Sequence, residues 1–256
     1  MPPDSTAAQS PTIRLRRSDE RGYEDVGWTD HWMTFSFADY YDPDWVHFGP
    51  LRVMVENHIQ PHEGFAAHPH RDAEILTYVS SGILTHGDDQ GHEAHIGAGE
   101  MQLISAGSEG MVHSEENVHD EVEHNYQMWF IPDRAGTDFA YHERRFSPEE
   151  REGEFRCYVA PYSDEVAGEN GPAPINTDAY VYAGLFSAGD RIQHALGDGR
   201  GAWVQVVEGR VDVDGVTLQS GDGAGLTDTD ALDFQFEAQS EVLLFDVHMD
   251  VPLLWT

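Results

Sequence analysis

Residues 77–89 read TYVSSGILTHGDD and residues 97–106 read GAGEMQLISA; far downstream, residues 203–215 read WVQVVEGRVDVDG and residues 219–228 read QSGDGAGLTD. Each passage is an apolar strand pattern, a Gly turn (Gly82, Gly209) and a second strand. A tight Asp or Gly turn follows, and then Gly plus an acid (Gly99-Glu100, Gly221-Asp222) opens another strand. Two copies of one β-unit predict two similar barrels or sandwiches in one chain.

The rest of the sequence agrees with that reading. Helix-period stretches are scarce, and short runs rich in Val, Ile, Tyr and Phe alternate with Gly, Asp and Pro, an all-β pattern. Strands are predicted at Met33–Phe37, Leu51–Asn57, Glu74–Ser80, Ile83–His86, Gln102–Ser105 and Tyr126–Phe130. In the second half they fall at Arg156–Ala160, Ala179–Phe186, Trp203–Glu208, Gly209–Val213 and Glu241–Val247. The best helical segment is Ser147–Glu152, with an N-cap Ser147, Pro148 at N1 and Glu150 at N3. A boundary near Phe146–Gly153 divides the chain into 1–150 and 151–256, and the Gly/Pro/Asn-rich stretch 166–178 reads as a loop of the second unit.

Charge narrows the partners. The chain carries 47 Asp and Glu against 14 basic residues, a formal charge of −33, and every basic residue is Arg. The acids are interspersed with aromatic and β-branched residues, so they cover a folded surface and do not form a disordered tail. Such a surface repels phosphates, so direct nucleic-acid binding is not expected. Its self-repulsion is relieved at molar salt, where the Debye length is about 3 Å, which suits a high-salt cytoplasm. No run of 18 apolar residues exists and the N-terminus MPPDSTAAQSPTIRLRR has no apolar core, so neither a membrane span nor a secretory leader is expected. The lone Cys157 makes no internal disulfide, reads as a small buried apolar residue and fits a reducing compartment. A cytoplasmic monomer is the expectation.

The chemistry is carried by HPHRDAE (68–74) and HSEEN (113–117). With 15 His in the chain, one His-x-His is unremarkable. In a strand, however, residues i and i+2 share a face, so His68 with His70 and His113 with Glu115 can point into one barrel. Three imidazoles and a carboxylate suit a first-row transition metal with open positions. The frames add specificity: Gly64-x3-His68-x-His70-x3-Glu74-x7-Gly82, and Gly99-Glu100 followed by His113-x3-Asn117. Strand parity alone leaves Glu74 and Glu115 as competing fourth ligands. His62, His86, His92, His95, His119 and His124 read as surface residues or as residues behind the ligands, and Gln127 and Trp129, alternating with Met128, as pocket walls or as core packing. In the second half, AGDRIQHALGDGRGAWVQVVEG (188–209) offers only His194, so one metal per chain is expected.

These frames resemble the two-motif signature of cupins, except that the usual Pro is Ser105 and the spacing from Gly107 to His113 is stretched. TFSFADYYDPDWVHFGPLRV (34–53), GFAAHPHRDAEILTYVSSG (64–82) and AGSEGMVHSEEN (106–117) are similar to the pirin family of bicupins. The resemblance implies two jelly-roll cupin domains, with a metal-binding first domain and a second that lacks ligands. It also implies a metal set of His68, His70, His113 and Glu115, favouring Glu115 over Glu74. The cofactor it implies is one mononuclear metal, chiefly Fe(2+), with Mn, Ni, Cu, Co or Zn as alternatives. Two functions follow from it. One is quercetin 2,3-dioxygenase activity on a polyphenol with O2, with Glu115 as general base and Phe65 and Trp129 as stacking walls. The other is a metal-bound regulatory module that binds a protein partner.

Overall fold

Short apolar segments punctuated by Gly and Asp fold into antiparallel sheet almost throughout, in a computed structural model that describes residues 11–250. Residues 1–10, part of the stretch read for a leader, lie outside the described residues. The first half builds a seven-stranded sheet in the order Ala140–Arg145, Glu100–Ser105, Glu74–Ser81, Glu123–Phe130, Leu51–Ile59, Thr29–Met33 and Gly22–Asp25. Against it packs a four-stranded sheet in the order Glu63–His70, Met111–Asn117, Ile83–Asp88 and Glu93–Gly97.

The second half repeats the plan. Its seven-stranded sheet runs Thr12–Arg16, Gly223–Thr227, Arg200–Glu208, Ser240–His248, Ala179–Phe186, Arg156–Pro161 and Ala173–Ile175. Its four-stranded sheet runs Arg191–Ala195, Ala231–Phe236, Arg210–Val213 and Val216–Gln219. The repeat seen in the sequence is therefore two all-β barrels of the cupin type. The Thr12–Arg16 strand crosses over, pairing antiparallel with Gly223–Thr227 at the edge of the second sheet. A boundary near residue 150 does not express that exchange.

The two seven-stranded sheets share the largest apolar core. Along Glu74–Ser81, Leu76 and Tyr78 join Tyr126, Phe130, Trp203 and Phe245 in this junction, while Ile75 and Val79 belong to clusters inside the first barrel. Fully burying one side chain such as Phe130 stabilises the assembly by about 1.5–3 kcal/mol. Period-2 alternation thus decides which residues of a strand hold the halves together and which line the site.

Three sequence expectations shift. The predicted strand Met33–Phe37 is Thr29–Met33, followed by bends. Phe35 there is buried for another reason, its ring 4.9 Å from that of Trp203. The helical segment is only a 3-10 turn, Pro148–Glu150, with the Ser147 amide donating to Glu150 Oε2 at 2.9 Å. The 166–178 loop contains a short strand, Ala173–Ile175, parallel to Arg156–Pro161. Cys157 is half-buried, its thiol against Val159 O. No helix among the described residues is long and apolar enough to cross a membrane.

Candidate metal centre

The Glu63–His70 strand supplies His68 and His70 on one face, with exposed Pro69 between them. Its neighbour Met111–Asn117 places His113 opposite His68 and Met111 opposite His70. A bulge then shifts the register so that Glu115 faces Phe65. Gly64 is needed next to this bulge, because a Cβ there would sit 2.5 Å from the Glu116 Cα and 2.6 Å from the Glu115 carbonyl. Asn117 closes the strand: its Nδ2 donates to Ile59 O and Glu121 O, and its Oδ1 accepts from the His119 amide. The framing residues are thus explained by geometry.

His68, His70 and His113 bring one donor atom each to within 4.8 Å of one another. His68 Nδ1 donates to the Ala66 carbonyl at 2.8 Å, which fixes the tautomer and turns the Nε2 lone pair inward. That Nε2 lies 3.1 Å from His113 Nε2. Two cis ligands bonded at about 2.1 Å stand about 3 Å apart, so the pair has ligand spacing. His70 Nε2 is buried without a hydrogen-bond partner. Burial, then the charges of His113 and His68, press the His70 pKa down to about 4. Burial and neighbouring His68 press His113 down to about 3. Both rings are neutral near pH 7, as metal ligation requires, and the orphaned nitrogens fit a transition metal.

The two candidate carboxylates separate clearly. Glu74 points out of the barrel toward the second half, where Ser105 Oγ and Asn176 N and Nδ2 donate to it at 2.7, 3.3 and 3.0 Å. Ser105, which stands where cupins usually carry Pro, therefore helps to hold the junction. Glu115 is buried inside the first barrel. Gln102 Nε2 (2.6 Å) and Thr77 Oγ1 (3.3 Å) donate to its Oε1, and Gln127 Nε2 (2.5 Å) donates to Oε2. Glu115 groups within 4.8 Å with His113 and with His86, so two overlapping triads share His113. Of the two sequence readings of His86, surface residue or residue behind the ligands, the structure gives the second: it is fully buried, hydrogen-bonded to Asp88 Oδ2 at 3.2 Å and stacked on Tyr141.

A cavity of ≈ 280 Å³ opens onto His68 and His70, walled by Phe65, Trp129, Gln127 and Val55. The Trp129 ring meets His70 edge-on at 4.9 Å, and its Nε1 donates to Gln127 Oε1 at 3.1 Å. Two further wall residues, His31 and Asn57, were not singled out from the sequence. His31 Nδ1 is 2.6 Å from Asn57 Oδ1; Asn57 Nδ2 donates to Asn125 Oδ1 at 2.9 Å, and Asn125 Nδ2 donates to Glu123 Oε2 at 2.8 Å. In that polarity His31 carries its proton on Nδ1 and leaves Nε2 as an acceptor. No local motif marks these residues; only the alternation of Asn57 and Asn125 with residues of the junction hints at them. A larger, more open cleft of ≈ 370 Å³ at Pro148, Glu152 and Glu241 contains no histidine.

Two similar barrels, one with a His-lined metal-type centre and one without, define a bicupin. The Pirin family description matches residues 14–130, and that of the quercetinase C-terminal cupin domain matches residues 165–247. The chain is 37% identical over 236 residues to quercetin 2,3-dioxygenase of Escherichia coli K12, covering 92% of this chain and 98% of that one. It is 36% identical over 228 residues to a pirin-like protein of Caulobacter vibrioides, covering 89% and 96%. The crystal structure of the bacterial pirin YhhW from E. coli in complex with nickel(II) superposes with a TM-score of 0.85 at 37% identity, covering 93% and 99%. The chain belongs to the pirin family.

Proposed function

We propose that this pirin is a metal-dependent dioxygenase that opens the central ring of a flavonol-like polyphenol, with His68, His70, His113 and Glu115 as the metal ligands. The single observation that carries the reading is the aromatic-walled cavity directly beside the three clustered imidazoles. Relatives named quercetin 2,3-dioxygenase support it. A bound metal, iron by family weight or nickel by the structural relative, supplies a Lewis acid that lowers the pKa of a coordinated hydroxyl. Phe65 and Trp129 stack on and orient the planar ligand and exclude water. Glu115 accepts the hydroxyl proton as general base. Gln127, which donates to Glu115 from the cavity wall, is the side chain that the ligand displaces to reach the carboxylate. Both atoms of O2 enter the product, two ring C–C bonds break and one carbon leaves as carbon monoxide.

The test is aerobic incubation of metal-loaded protein in molar salt with a panel of flavonols, following loss of flavonol absorbance and carbon monoxide release. Turnover that disappears in metal-loaded Glu115→Gln supports the assignment. Absence of turnover at verified metal occupancy transfers the centre to the regulatory reading. The acid excess is further read as an adaptation to high salt. Raising KCl from about 0.1 M to molar is then expected to raise the melting temperature; equal melting at very low ionic strength refutes it.

A further inference from the structure

A second cluster lies on the opposite side of the same sheet. Asn57 and Val55 line the cavity, so period-2 alternation turns Glu56 and His58 outward. The neighbouring strand sets His124 directly across from His58, and Asp30 flanks His58 on the other side. We propose that Glu56, His58 and His124 form a second transition-metal site, for a borderline divalent cation such as zinc(II), nickel(II) or cobalt(II).

The donor geometry is that of an ion-binding set. His124 Nε2 lies 2.9 Å and His58 Nε2 3.8 Å from the same oxygen, Glu56 Oε1. All three donor atoms fall within 4.8 Å of one another, and the rings meet edge-on with centroids 4.3 Å apart. Donors around an ion bound at about 2.0–2.2 Å stand about 3–3.5 Å apart, between the two observed spacings. A plain hydrogen-bonded clasp of His124, Glu56 and Arg21 explains the first contact and not the second, since a second imidazole aimed at that oxygen from 3.8 Å makes no hydrogen bond.

The surroundings are those of a supported ligand set. Arg21 Nη1 holds Glu56 Oε2 at 2.7 Å, which orients the carboxylate and leaves Oε1 as a single ligand atom. Trp32 packs edge-on against His58 at 4.9 Å and limits its rotamers. Burial, then His124, lowers the His58 pKa. For Glu56, burial opposes ionisation but is outweighed by the His124 hydrogen bond and the Arg21 charge, holding it near about 2. Glu56 is buried, whereas the His58 side chain is 36% exposed, leaving access for the ion and room for water in the remaining positions. Arg21 also lies against Gly221 of the second half, so an ion here braces the seam between the barrels.

The test uses full-length protein stripped by chelation and dialysed in molar KCl, then titrated with cobalt(II) and zinc(II). Stoichiometry is read by elemental analysis and cobalt(II) coordination by its visible absorption. Two equivalents per chain are expected. His58→Ala, which leaves the Arg21–Glu56–His124 contacts intact, should weaken one equivalent at least about tenfold and spare the other. His70→Ala should remove the other and spare this one. Circular dichroism of each variant shows that it is folded. A single equivalent in the unmodified protein, or two unweakened equivalents in folded His58→Ala, overturns the proposal. This outcome is independent of whether the first centre turns over flavonols.

Discussion

The two barrels share one backbone plan and have opposite interiors. With the turn glycines Gly82 and Gly209 superposed, Thr77 corresponds to Val204 and His86 to Val213. Strand register then matches Glu115 with Phe234, His113 with Leu232 and Gln127 with Leu244. Every polar group of the first centre in this set has an apolar counterpart in the second. The second interior is a continuous apolar cluster in which Phe186 and Phe236 stack at 3.9 Å. The first is split into three smaller clusters around the polar layer. His194, the counterpart of His68 by its pairing with Leu232, is tied to Asp246 at 3.0 Å and has no imidazole partner. The fold fixes where side chains point; filling the interior with hydrocarbon stabilises it, and filling it with ligands leaves buried nitrogens unpaired.

Exchanging residues between the barrels gives the largest expected effect. His113→Leu places the second barrel's residue in the first and is expected to abolish metal binding at the His68/His70 centre, read by elemental analysis. The metal-free protein should be no less stable, because an orphaned buried Nδ1 is replaced by apolar volume. Loss of the fold in that variant would show that the polar layer is structural. Next in size, Phe234→Ala in the second barrel should cost about 3–5 kcal/mol in chemical denaturation. The folded fraction should keep its full metal equivalent at the first centre, whereas a loss of metal would show that the barrels are coupled more tightly than the division of labour implies.

The contrast also explains what was legible in the sequence. Strands buried on both faces, such as Trp203–Glu208 and Glu241–Val247, announce themselves by near-continuous apolar runs and lie where expected. Glu63–His70 and Met111–Asn117 carry the proposed ligands, and apolar alternation does not mark them because polar side chains take the place of their inner apolar residues. They were found instead through Gly64, Asn117 and the histidine spacing. The choice between Glu74 and Glu115 depends on which face each strand turns to the junction, which spacing does not encode. For His86 the sequence leaves open a surface place or one behind the ligands, because a buried imidazole in an acidic, histidine-rich chain looks like a surface one. His31 and Asn57 were missed because their relation to Glu123 is made entirely by strand register.

The last of these tests concerns the polar layer alone. Glu123 is fully buried at the far end of the His31–Asn57–Asn125 chain, and its Oε1 has no partner. Burial raises its pKa from 4.5 to about 8; the Asn125 hydrogen bond opposes this and the charge of Glu115 adds to it. An acid raised on folding keeps its proton in the folded state while the unfolded chain has already lost it. Its favourable contribution is complete below about pH 4.5, declines as pH rises, and is gone above about pH 8. Stability measured between pH 5 and 8 should therefore contain a falling component that Glu123→Gln removes, making the variant relatively more stable at the alkaline end. The second barrel has Val242 at the position matching Asn125 and supplies no such slope. An unchanged pH profile in Glu123→Gln would mean that the carboxyl is ionised when folded, and that the amide chain draws its polarity from a fixed negative charge.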